Sequence, residues 1–127
     1  MAKKEFSFRG KSIEEVQKLS MEQFMEMVPA RQRRTLKRGM SDQAKALLQK
    51  IKNNKRKLRT HARSMIVVPQ MVDKTIEVYT GKEWRKLTIT PHMLGHVLGE
   101  FALTRKRVAH SSPGVGATRS SAHVSVK

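Results

Sequence analysis

Beyond Glu100 the chain has no aspartate or glutamate, and between Pro29 and Ser64 it has only Asp42. These acid-poor zones carry most of a large imbalance, 27 Lys and Arg against 10 Asp and Glu, a formal net charge of +17 in 127 residues. A compact state with that charge repels itself and attracts anions over long range. A dense polyanion neutralises it best, so nucleic acid is the expected partner before any motif is considered. The remaining acids cluster as Glu5, Glu14, Glu15, Glu22 and Glu26 near the start and Asp73, Glu77 and Glu83 in the middle. The pattern predicts a nucleic-acid footprint in two places, one central and one terminal.

Other classes fit less well. No apolar run approaches the roughly 20 residues of a membrane-spanning helix, and "MAKKEFSFRGK" lacks the apolar core of a signal peptide. The absence of cysteine excludes disulfides and thiolate metal sites and suits a reducing interior, so a cytoplasmic location is expected. The length allows one modest domain with extensions.

Local signals divide the chain. Ser12 with Glu15, and Ser20 with Gln23, each fit a capping box at a helix start. Ile13, Val16 and Leu19, then Met21, Phe24, Met25 and Val28, follow at helical spacing, and Pro29 stops the second helix. "ARQRRTLKRG" reads as a short basic helix or turn ended by Gly39. Ser41 caps a further helix with Ala44, Leu47, Leu48 and Ile51 on one stripe, which dissolves into a basic linker, "KNNKRKLRTHAR". The period then changes to two. "SMIVV" is a β-branched run, and "TIEVYTGKEWRKLTI" reads as a hairpin around Thr80 and Gly81, with Ile76, Val78, Leu87 and Ile89 able to share a face. Thr90 and Pro91 open a predicted last helix with Met93, Leu94, Val97, Leu98 and Phe101 as its buried face. The expected fold is α+β, a small antiparallel sheet with a covering helix. It comprises an N-terminal helical, basic extension (1–59), a core (60–103) and an extended basic tail (104–127). A core this small is marginal on burial alone and needs the N-terminal helices or a partner.

Candidate chemistry is sparse. "PGVGATRS" has glycines two apart, no following Lys-Ser/Thr pair, and a helix signal before it, so it is not a nucleotide-binding loop. A flexible terminus is one reading of it. An arm ordered on RNA, with Arg119 as a planar fork and Ser120 and Ser121 as donors, is the preferred one. His92, His96 and Glu100 fall at i, i+4, i+8 of the predicted helix, but Met93 stands where a metalloprotease needs its glutamate, so no metal or other cofactor is expected. Gly95 and Gly99 remove side chains where a backbone or a sugar-phosphate must come close. Arg31, Arg33, Arg34, Lys37 and Arg38 wrap most of a helix circumference, an arrangement that repels itself without a polyanion. Lys52, Lys55, Arg56, Lys57, Arg59 and Arg63 continue the series, and Arg105, Lys106 and Arg107 close it. Tyr79 and Trp84 could stack on bases, yet the sequence shows no aromatic platform. No nucleophile–base pair stands out, so no enzyme is expected.

Taken together, "PARQRRTLKRG", "RTHARSMIVVP", "TIEVYTGKEW" and above all "HMLGHVLGEFALTRKRVAHSSPGVGATRSS" resemble the small-subunit ribosomal protein S19 family in its archaeal and eukaryotic form. The resemblance spans nearly the whole chain, and the helical N-terminal segment marks that branch. It implies a structural protein of the small-subunit head that binds ribosomal RNA beside the ribosomal protein S13, near a bridge to the large subunit. It also implies a C-terminal tail directed toward the tRNA and decoding region. The matching positions are His61 and Arg63, then Gly95, His96 and Gly99, and the tail from Thr104 through Ser121, which includes His110, Arg119 and Ser120. Departures from the family pattern are Asp73 where glycine is usual, Gln70 where an acid is usual, and "WRKLTI" without its strand proline. A positive φ at position 73 is one that Asp tolerates better than most residues. No membrane contact and no homo-oligomer are expected. The rival from another class is a free-standing nucleic-acid chaperone or DNA-compacting protein, which the charge alone fits equally well.

Overall fold

A computed structural model of the chain describes residues 6–107, 114 and 117–122. Four helices lead the fold: α1 (Ile13–Lys18), α2 (Met21–Met27), α3 (Ala30–Lys37) and α4 (Asp42–Lys52). Both capping boxes form, with Ser12 and Glu15 bonded reciprocally at 2.9 and 3.3 Å and Ser20 and Gln23 at 3.2 and 3.3 Å. Each thereby satisfies two amides that a helix start leaves open. Gly39 follows α3 with φ +98°, the left-handed conformation that ends a helix at low cost in glycine. Ser41 caps α4, which buries Ala44, Leu47 and Ile51 and leaves Leu48 half-buried.

The sheet is mixed, a correction to the expected antiparallel one. β2 (Thr75–Tyr79) and β3 (Trp84–Thr88) form the expected hairpin, with Ile76 opposite Leu87 and Tyr79 opposite Trp84. A third strand, β1 (Arg59–Thr60), lies parallel to β2 with Arg59 opposite Glu77 and Thr60 opposite Val78. It falls inside the stretch read as a basic linker, because two residues are too short to show alternation. Within the strand Thr60 is buried and Arg59 exposed, and Leu58 just before it is also buried.

The predicted helix after Thr90 is a second correction. In its place stand two 3₁₀ turns, Pro91–Met93 and Leu98–Phe101, separated by Gly95 with φ +78°. The backbone between them pairs with residues 63–67: Gly95 N to Val67 O (3.1 Å), Val67 N to His96 O (2.8 Å), Leu98 N to Met65 O (3.0 Å) and Gly99 N to Arg63 O (2.8 Å). An α-helix would use those groups internally, so the long-range ladder excludes it. "SMIVV" is accordingly an extended segment with one isolated bridge, Ile66 to Val97. Of the expected helix face, Leu94 and Leu98 are buried, while Met93, Val97 and Phe101 are half-buried.

One hydrophobic cluster joins all of this. Val16, Phe24, Val28, Leu47 and Ile51 of the helical segment pack in it with Val67, Met71, Ile76, Val78, Ile89 and Leu98. Pooling two weak apolar faces gives a small chain a core neither could make alone. Asp73 takes φ +62° while its N–H donates to the Ile89 carbonyl at 2.9 Å, the positive φ anticipated for a residue in a glycine position.

Candidate nucleic-acid interface

The basic residues separate into two kinds once their partners are known. Arg31, Arg34, Lys37 and Arg38 stand exposed on α3 and its C-terminal cap, and among the described residues no carboxylate pairs with them. Together with half-buried Arg33, the last three line one shallow cleft. Arg33 is turned inward: its Nε donates to the Met25 carbonyl (3.0 Å) and Nη2 to those of Glu26 (2.9 Å) and Val28 (3.2 Å). These are carbonyls that the end of α2 leaves without helical partners, so Arg33 serves as a side-chain cap.

Arg63 plays a similar part in the core. Nη1 donates to the Tyr79 carbonyl at 2.7 Å, and Nη2 to the carbonyls of Gly99 (3.2 Å) and Ala102. The guanidinium therefore ties the end of β2 to the last 3₁₀ turn. Gly99 lies against the same residue: a Cβ there would come within 3.1 Å of the Arg63 carbonyl oxygen. The close approach foreseen at Gly95 and Gly99 is thus intramolecular, a left-handed turn at the first and a backbone contact at the second.

Of the remaining expected positions, Lys52 is exposed at the end of α4, and Lys55, Arg56 and Lys57 are exposed between α4 and β1. Arg59 pairs with Glu77, whose carboxyl is held below its ordinary range chiefly by that hydrogen bond. Lys106 pairs in the same way with Glu83 on the hairpin and lowers its pKa, while Arg105 and Arg107 are exposed beside it. His96 Nδ1 meets Glu100 Oε2 at 2.8 Å and His92 packs edge-on against Phe6 at 4.2 Å, so these two histidines face different neighbours. Among the described residues, no set of three His, Asp or Glu side chains is placed to hold a metal. Arg119 and Ser120 are exposed on a short helix, α5 (Arg119–Ala122); His110 lies outside the described residues.

Two features escaped sequence reasoning. Phe8 and Lys11 exchange backbone bonds across Arg9 and Gly10, both at positive φ, a tight hairpin turn signalled by "RG" between polar and aromatic residues. The second is an aromatic group on the outer face of the sheet. The His61 ring lies 4.7 Å from Tyr79 and 4.8 Å from Trp84, with Arg59 5.1 Å over the Trp84 ring. Only the parallel register of β1 could have revealed it.

Cations displayed on helices and loops around a small, internally buttressed α+β core suit a protein that lies against a polyanion. Comparison with known proteins gives the particular family: the profile of ribosomal protein S19 matches residues 34–110. The chain is 50% identical over 125 residues to small ribosomal subunit protein uS19 of Methanococcoides burtonii, covering 98% of this chain and 91% of that one. It is 49% identical over 125 residues to the uS19 of Methanocella arvoryzae (98% and 89% covered), and 50% identical over 124 residues to that of Picrophilus torridus (98% and 82% covered). The chain belongs to the ribosomal protein S19 family.

Proposed function

We propose that this protein is a structural constituent of the small ribosomal subunit that binds its ribosomal RNA through two basic surfaces. The observation that carries the reading is the outward set Arg31, Arg34, Lys37 and Arg38, which has no carboxylate partner among the described residues. Each such cation that reaches a phosphate releases condensed counterions, which supplies affinity without reading sequence. The folded core fixes the angle at which α3 and the α4–β1 segment meet RNA, so selectivity comes from RNA shape. Arg105, Lys106, Arg107 and Arg119 extend the contact along the tail, with His110 and Ser120 as further donors. The tail runs toward the decoding and tRNA region, and S13 is the neighbour in the head, as the family resemblance implies. Arg33 and Arg63 act through the fold, holding the surfaces in place.

The test is sedimentation of a lysate through sucrose at moderate and high salt, with this protein followed by mass spectrometry. Stoichiometric co-migration with the small subunit at high salt is the expected result. Loss to light fractions, or migration with DNA, would favour a free nucleic-acid chaperone instead.

A further inference from the structure

In a β-sheet successive side chains alternate between faces, so register decides which residues become neighbours. Ile76 and Val78 of β2 point into the core, which leaves Glu77 and Tyr79 on the outer face. The register then makes two rows across the three strands. Arg59, Glu77 and Lys86 form one; Tyr79 and Trp84 form the next, and His61, one residue past the end of β1, lies beside them. Ring contacts confirm the second row: His61–Tyr79 at 4.7 Å, His61–Trp84 at 4.8 Å and Tyr79–Trp84 at 5.1 Å.

Burial does not account for this row. The core lies on the other face, His61 is exposed, and Tyr79 and Trp84 are only half-buried. The local charge is net positive: Glu77 is matched by Arg59 and Glu83, next to Trp84, by Lys106, leaving Lys57 and Lys86 as exposed cations near Glu77. Arg59 lies over one face of the Trp84 ring, and the rings beside ammonium groups present their remaining π faces to a planar ligand and positive charge to its phosphates. An acidic peptide would match the charge but has no use for the rings.

We propose that the outer face of this sheet is a stacking platform for an unpaired RNA base, with Trp84 and His61 as the rings it meets. The proposal rests on the RNA-binding reading above and adds a mode to it. α3 grips phosphates of any RNA, whereas the sheet selects RNA with a base free to leave its helix.

Trp84 is the chain's single tryptophan, so the site carries its own reporter. Full-length protein is titrated with single-stranded oligoadenylate of about eight nucleotides, within the span of one binding footprint, and with fully paired RNA of equal length. Oligoadenylate should quench Trp84 emission; the duplex should bind without quenching. Trp84→Leu should weaken oligoadenylate binding about tenfold, the order of one lost stack, and leave duplex affinity and the salt slope unchanged. Trp84→Phe should recover most of the loss. His61→Ala, at an exposed position, should weaken oligoadenylate binding in the same selective way by a smaller factor. Binding of both RNAs without quenching, or variants that weaken both RNAs equally, would overturn the platform and leave the phosphate-binding reading standing. Binding of neither RNA would overturn both. Quenching by oligoglutamate as strong as by oligoadenylate would make the face a protein site and also overturn the proposal.

Discussion

Two basic regions of this molecule look alike in sequence and use their charge in opposite ways. On α3, Arg31, Arg34, Lys37 and Arg38 face solvent. At the corner where residues 63–67 meet residues 95–99, Arg63 reaches inward to three backbone carbonyls and Gly99 lies against it. The first region costs the fold repulsion and is useful only to a polyanion. The second costs desolvation and is offset by hydrogen bonds that the loops cannot otherwise make. Arg33 shows how fine the division is, since it sits among the α3 cations yet caps α2. Positive charge in such a chain is therefore two resources, one for the partner and one for the core that holds it.

The comparison breaks most sharply at Arg63. Arg63→Ala leaves three carbonyls without their charged donor and should destabilise the protein by about 3 kcal/mol or more in urea melts. Arg63→Lys should recover little of it, because an ammonium cannot span carbonyls on two loops as a planar fork does. An Arg63→Ala variant of native stability that had lost RNA binding would place this residue with the α3 cations instead. Arg33→Ala should cost about 1.5–2 kcal/mol, less because its site is more open. The expected signature is earlier hydrogen exchange at the end of α2.

Gly99→Ala sharpens the same corner. Its Cβ would meet the Arg63 carbonyl at 3.1 Å, backbone that cannot turn aside, so a loss of about 1–2 kcal/mol is expected in thermal melts. The smallest effect is electrostatic. Glu83 has its pKa lowered from 4.5 by the Lys106 hydrogen bond, so it binds protons less readily folded than unfolded. Its contribution is present above pH 4.5 and is lost as the pH falls through the lowered folded value. Glu83→Gln should remove that part of the acid dependence and release Lys106, seen as a slightly flatter stability profile below about pH 5.

Much of the helical segment was legible from sequence because its signals are local. Ser12 with Glu15, Ser20 with Gln23, Pro29, and Gly39 with Ser41 each act within a few residues, and the helices begin and end where those residues require. The stretch after Thr90 was misread because its apolar residues repeat at helical spacing while its hydrogen bonds go to residues about 30 positions away, such as Gly99 N to Arg63 O. No window along the chain contains that partner. β1 was hidden for the same reason, a two-residue parallel strand whose identity depends on β2. The candidate interface divides likewise. Exposed cations of α3 could be named from charge alone, but sequence could not tell Arg33 from Arg34, nor see that His61 would lie beside Trp84.

The proposed division gives the charge on α3 to RNA and the charge at Arg63 to the fold. The most direct test is the salt dependence of small-subunit ribosomal RNA binding by the full chain and by a variant with Arg31, Arg34, Lys37 and Arg38 all replaced by Ala. The variant should keep native stability within about 0.5 kcal/mol per site. Its log-log slope should be lower by about 3, since each phosphate contact contributes roughly 0.7–0.9. An unchanged slope in a folded variant would contradict that division.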